Sequence, residues 1–116
     1  MEQLHDDRSW ADRQFVLNER LGIALPRLAV PWESLSRLRQ SELLEAWERI
    51  RGRIPDRIIV FEEQIRTLQD RLNEEEDFEE SCRLNGAIAD LASRINDLHI
   101  WYRMQQDLDE ETRQHS

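Results

Sequence analysis

The run Leu68-Gln69-Asp70-Arg71-Leu72-Asn73-Glu74-Glu75-Glu76-Asp77-Phe78-Glu79-Glu80-Ser81-Cys82-Arg83-Leu84 closes one apolar periodicity and opens another. Acids oppose the dipole of a helix that is ending and favour one that is beginning. A chain that places Glu74 to Glu80 between two helical patterns is therefore predicted to reverse near Glu76. Asp77 with Glu80 then forms a capping box for the second helix, with Asp in place of the usual Ser or Thr.

Upstream of this turn, apolar residues fall at Leu43, Trp47, Ile50, Ile54, Ile58, Phe61, Ile65, Leu68 and Leu72. The steps of three and four make a heptad seam with one extra residue between Ile54 and Ile58. Gly52 and Pro55 coincide with that irregularity, and a kink or break is expected there because Pro removes a backbone donor and clashes with the preceding turn. Ser41 is the expected N-cap of this arm. Downstream the seam runs Ser81, Leu84, Ile88, Leu91, Ile95, Leu98, Tyr102, Gln105, Leu108.

In a tight antiparallel pair, facing residues have a nearly constant sum of residue numbers. Leu68 with Leu84 gives 152, Ile65 with Ile88 153, Phe61 with Leu91 152, Ile58 with Ile95 153 and Ile54 with Leu98 152. Ile50 with Tyr102, Trp47 with Gln105 and Leu43 with Leu108 continue the series at 152, 152 and 151. The fold class expected is all-α: a long antiparallel, coiled-coil-like helical hairpin. Its arms cover about 42–74, kinked near Pro55, and 78–110, each on the order of 50 Å long at 1.5 Å per residue.

At the other end, Ser9 and Asp12 read as a capping box and Gly22 as a left-handed helix end, so a further helix is expected over Ser9–Leu21. Leu25-Pro26-Arg27-Leu28-Ala29-Val30-Pro31 follows as an extended apolar connector, and a short helical turn is expected from Trp32 to about Leu38. With 116 residues the chain is read as a single domain: 1–31 N-terminal helix and connector, 32–116 helical hairpin. A two-helix core is narrow. Ile59, Val60, Ala87, Ala89, Ala92, Ile100 and Trp101 lie outside the seam and call for a third surface. Either the N-terminal helix covers them, or two hairpins pair as a homodimer. Long hairpins of this size favour the second.

Composition narrows the function. No run of 18 apolar residues exists, and Met1–Asp7 carries two Asp and one Glu with no apolar segment after it. Neither a membrane span nor a secretory signal is expected, which leaves the cytoplasm. The net charge of −9 argues against nonspecific nucleic-acid binding. All 16 basic residues are Arg, a bias that fits a GC-rich genome and suits helix-surface ion pairs.

Arg49, Arg51, Arg53 and Arg57 cluster around the expected kink and form a candidate dock for phosphate, a nucleic-acid backbone or an acidic partner. Their alternative role is a solvated face paired with Glu45, Glu48 and Asp97. The acidic tip lacks the ligand spacing of an EF-hand loop. His5, His99 and His115 are scattered, with no Glu-x-x-His pair for a di-iron site. Cys82 stands beside Glu79 and Glu80, which oppose thiolate formation. No catalytic residue, cofactor, metal ligand or small-molecule substrate is expected.

Ser81-Cys82-Arg83-Leu84-Asn85-Gly86-Ala87-Ile88 is similar to the Ser-x-x-Leu-Asp-x-x-Ile pattern of small helical-hairpin phosphatases that act on sporulation response regulators. The match covers eight residues, and Asn85 stands where the pattern has Asp, so no catalytic role transfers to this chain. The expected function is that of a non-enzymatic protein acting by protein–protein contact, as an adaptor, chaperone-like or regulatory subunit. Ile100 and Trp101 are the expected contact residues, with the arginines second. The alternative is a nucleic-acid- or phosphoprotein-binding regulator using Arg49, Arg51, Arg53 and Arg57.

Overall fold

A computed structural model of the chain describes the backbone of residues 8–114 and the side chains of residues 8–104. The chain is mostly helical, with one two-stranded sheet. It divides into two compact units, one up to Ile50 and one from Arg51 onward.

In the first unit a β-hairpin stands where a helix over Ser9–Leu21 is expected. The cap is real: Ser9 Oγ accepts the Asp12 N–H at 3.1 Å, and Arg13 N–H reaches the Ser9 carbonyl at 3.1 Å. One 3-10 turn, Asp12–Gln14, is all that follows before Phe15 goes extended. Strand β1 (Phe15–Asn18) pairs antiparallel with β2 (Ile23–Pro26), Phe15 opposite Pro26 and Asn18 opposite Ile23. Phe15-Val16-Leu17 is an aromatic and β-branched run that fits a pleated surface better than a helix, and Pro26 ends an edge strand, where its missing donor is harmless.

Gly22 does adopt the left-handed conformation read from the sequence, at φ 75°, but in the turn of the hairpin. Asn18 carbonyl accepts the Gly22 N–H at 2.8 Å, and Asn18 Oδ1 accepts the Leu21 N–H at 3.1 Å. A four-residue hairpin loop and a helix end need the same positive φ. The expected apolar connector is therefore partly β2, and the expected helical turn after it shrinks to a 3-10 turn at Trp32–Ser34.

Helix α1 covers Arg37–Arg51. It starts five residues earlier than expected, because Ser36 rather than Ser41 is the cap: Ser36 Oγ accepts the Arg39 N–H at 3.2 Å. Leu43, Ala46 and Trp47 form its buried face. The Trp47 ring stacks on Phe15, centroids 6.3 Å apart and planes within 6°. Ala11, Leu21 and Ile23 complete the buried set of this unit. The facing of Trp47 with Gln105 and of Leu43 with Leu108, expected from the register, falls on side chains outside the described residues.

The second unit, from Arg51 onward, opens with a break at Gly52 and Arg53. Helix α2 spans Ile54–Glu74 with Arg53 as N-cap and Pro55 in its first turn. The break expected near Pro55 thus falls just before it, and Pro55 stands in the first turn of α2, where the N–H it lacks has no intrahelical partner. Helix α3 spans Phe78–Gln114, past the expected end near 110. The three residues between α2 and α3 are those predicted to turn. Asp77 Oδ2 accepts the Glu80 N–H at 3.1 Å, the Asp77 carbonyl accepts the Ser81 N–H at 2.9 Å, and Glu75 N–H closes α2 on the Leu72 carbonyl at 3.2 Å. The reciprocal half of the capping box is altered, because the Asp77 N–H goes to Glu75 Oε1 at 3.1 Å.

α2 and α3 pack against each other as an antiparallel pair. Ile54, Leu84 and Leu98 are fully buried, Ile58, Phe61 and Leu91 nearly so. Ile65, Leu68, Leu72, Ile88 and Ile95 are half-buried, as befits the margins of a core only two layers thick. Arg71 to Glu80 and Arg94 over Phe61 cross between α2 and α3, and Arg51, the last residue of α1, lies over Tyr102 of α3. Their residue numbers add to 151, 155 and 153, close to the constant near 152 read from the seams.

At the turn, Arg83 Nε donates to Glu80 at 2.9 Å, and Arg71 of α2 reaches the same carboxylate at 3.5 Å. The hydrogen bond from Arg83 and its charge, with that of Arg71, hold the Glu80 carboxyl below the usual 4.5. A lowered folded-state pKa stabilises the fold above the unfolded value, and that contribution is lost as pH falls through the folded value. NMR titration is expected to place Glu80 below 4.5 in the wild type and nearer that value in Arg83→Ala; identical curves would remove the clasp from the account. Phe15→Ala is expected to cost about 3–5 kcal/mol in chemical unfolding followed by circular dichroism. A loss under about 0.5 kcal/mol, the range of a surface change, would mean that Phe15 is not core.

Candidate functional site

Ile100 is 47% exposed and Met104 41%, one turn apart on α3, where residues four apart lie on the same face. Trp101 is half-buried beside them. Of the two expected contact residues, Ile100 is thus available at the surface and Trp101 is partly spent on packing. Met104 is not among the off-seam residues expected to make contact, and its spacing of four from Ile100 is the signal that marks it. α3 has 37 residues against 21 in α2, so its last stretch has no counterpart in α2.

The four arginines divide between the two units. Arg49 belongs to the first unit, where its Nη2 lies 3.1 Å from Asp12 Oδ1. The other three belong to the second. Arg51 turns inward: its Nη1 donates to the Tyr102 carbonyl at 3.1 Å, and its guanidinium lies 4.6 Å from the Tyr102 ring centroid. Arg57 is half-buried with its guanidinium 4.9 Å from the Phe61 ring, which Arg94 approaches from α3 at 5.7 Å. Arg53 stands at the N-cap position of α2 without a side-chain cap hydrogen bond and is exposed. Neighbours in sequence around a helix break point in different directions, and aromatic rings compete with phosphate for guanidinium faces.

Two shallow depressions lie along the α2–α3 pair. One of 480 Å³ is lined by Val60, Glu63, Gln64, Thr67, Leu68 and Leu91. The other, of 340 Å³, gathers Glu62, His99 and Tyr102 with Ile54, Pro55, Ile58 and Ile59. The floor of each is apolar, the character of a contact surface more than of a reaction centre. Cys82 is exposed on α3. Among the described residues no three His, Cys, Asp or Glu side chains are grouped to hold a metal ion. His5 and His115 lie outside the described residues. No helix among those described is long and apolar enough to cross a membrane.

Arg51→Ala is expected to destabilise the protein by about 1–3 kcal/mol, the range of a charge-assisted hydrogen bond joined to a cation–π contact. Arg53→Ala should stay within about 0.5 kcal/mol. Equal effects of the two in denaturant titrations would contradict the inward placement of Arg51.

Comparison with family models, with curated proteins and with solved structures finds no match to this chain, so its function is argued from its own residues.

Proposed function

We propose that this chain is a non-enzymatic helical protein that works in the cytoplasm by protein–protein contact, as an adaptor, chaperone-like or regulatory subunit. The observation that supports it is the exposed pair Ile100 and Met104 on α3. The seam of the α2–α3 pair is occupied by folding, so function falls to residues outside it. An apolar pair on a rigid helix loses little conformational freedom on binding, and a few such anchors carry most of the energy of an interface. The open depressions with apolar floors extend the surface on which a partner could seat.

The test is an affinity capture from the native host with three baits: wild type, Ile100→Asp and Arg53→Ala. A charge placed in the centre of an interface costs about 2 kcal/mol or more, roughly thirtyfold in affinity. Ile100→Asp is therefore expected to lose a partner, or a second copy of the chain, that wild type and Arg53→Ala retain. If the three baits behave alike, the contact is not at Ile100 and this reading fails.

A further inference from the structure

We propose that the α2–α3 pair joins a second copy of this chain through one of its two margins, α2 on α2 and α3 on α3, both antiparallel, as a four-helix bundle. This margin is distinct from the outer side of α3, where Ile100 stands, and the pairing goes beyond the contact proposed there. The two margins are built differently. One is closed by arginine: Arg57 and Arg94 lie over Phe61, and Arg71 and Arg83 hold Glu80. The other is open. On α2 it shows Pro55, Ile59, Glu62, Arg66, Gln69 and Asn73, at steps of 4, 3, 4, 3 and 4, all exposed. On α3 it shows Phe78, Asn85, Ala89, Ala92, Asn96 and Arg103, also exposed, with Ser81 and His99 in the turns between them. The depression of 340 Å³ joins the two strips, since Pro55, Ile59 and Glu62 line it together with His99.

Charge selects the occupant. From residue 51 to residue 116 the sequence has 9 Arg and 16 Asp or Glu, a balance of −7 out of the whole chain's −9. Two such units repel each other across most of their surface. Of those acids the open margin holds Glu62 alone among the described residues, against Arg66 and Arg103. Two copies therefore meet there without setting carboxylate against carboxylate.

The strips are also self-complementary. When a helix pairs antiparallel with its own copy, facing residue numbers again have a constant sum. On α2, Glu62 with Arg66, Ile59 with Gln69 and Pro55 with Asn73 all give 128, so each Glu62 meets the Arg66 of its mate. On α3, Phe78 with Arg103, Asn85 with Asn96 and Ala89 with Ala92 all give 181. Phe78 is 80% exposed, and a guanidinium over its ring repeats the contact that this chain makes at Phe61 and Tyr102. Alanine against alanine lets the helices close at their crossing. A single two-fold axis must serve both helices. The sums place it at Gln64 on α2 and between Asp90 and Leu91 on α3. Those positions are level in the folded pair, where Gln64 and Leu91 line one depression. The carboxylates at that level turn away from the mate: Glu63 lines that depression, on the arginine-closed margin, and Asp90 binds Arg94. Two helices side by side over about 30 Å give a face about 20 Å wide. Over both copies that is about 1,200 Å², the size at which specific interfaces begin.

Sedimentation equilibrium of the full chain tests the pairing, with circular dichroism expected to show every variant as helical as wild type. Wild type is expected to be a dimer at micromolar concentration, and a chain still monomeric at about 100 µM overturns the pairing. Ala92→Arg sets a guanidinium at the crossing of α3 with its mate and should raise the dimer Kd about a hundredfold or more. Gln64→Arg, exposed on the other margin, should leave the dimer unchanged. Glu62→Arg makes the chain less negative yet faces Arg66 of the mate, so it should weaken the dimer about tenfold. Adding Arg66→Glu to that variant should restore it. A dimer that survives Ala92→Arg overturns this margin as the interface, and a double variant that does not recover overturns the register. Ile100 lies outside the margin, so the capture experiment with Ile100→Asp judges the contact there whichever way the dimer behaves.

Discussion

Asp77 takes the N–H of Glu80 on its side chain and that of Ser81 on its carbonyl, and the geometry of α2 and α3 depends on that cap. It ends the reversal at a defined residue. Once the first residue of α3 is set, every later side chain has its height and angle relative to α2, because both helices advance by the same rise and rotation. Had the cap moved by one residue, Leu84 would leave the seam, where it is now fully buried. The acids around it assist twice: Glu79 and Glu80 suit the positive end of α3, and Glu80 ties Arg71 of α2 to Arg83 of α3.

The narrowness of that core explains where the rest of the molecule puts its polar and aromatic groups. Two helices bury one stripe each, and the residues flanking the stripes are left half in water. Arginine serves there because its guanidinium can lie flat on a ring while its stem covers apolar surface. Arg51 on Tyr102, with Arg57 and Arg94 on Phe61, close the margins of the seam in this way. In such positions these three arginines act as edge pieces of the core.

Sequence reading succeeded where the signal was local or strictly periodic. The turn at 75–77, the Asp77 cap, the seam residues of α2 and α3, the break beside Gly52 and the positive φ of Gly22 all rest on chemistry contained in a few consecutive residues or in a repeat of 3.5. It failed over residues 9–26, and the reason is visible in the same residues. Ser9 caps a true helical turn and Gly22 takes the left-handed conformation, so both boundary signals were sound. What lay between them depended on whether Phe15-Val16-Leu17 would find a pairing partner. Ile23-Ala24-Leu25-Pro26 is that partner, and its pairing is a non-local event that helical periodicity does not register. Ser41 is the expected cap of α1 and Ser36 the observed one: either hydroxyl can accept the needed hydrogen bond, and what surrounds the preceding residues decides. As for the candidate site, exposure of Ile100 was legible from its place off the seam, but the inward turn of Arg51 was not, since spacing alone does not say which way a long side chain turns.

The reversal near Glu76 was determined by the amino-acid sequence alone, because helix dipoles, capping and heptad phase act over a few residues and leave one consistent arrangement. Tertiary structure decided the rest. It made a β-hairpin of the N-terminal segment, stacked Phe15 on Trp47 and turned Arg51 inward onto Tyr102. Each of those outcomes depends on an interaction between residues far apart in the chain, whose free energy exists only once the partner surface has formed.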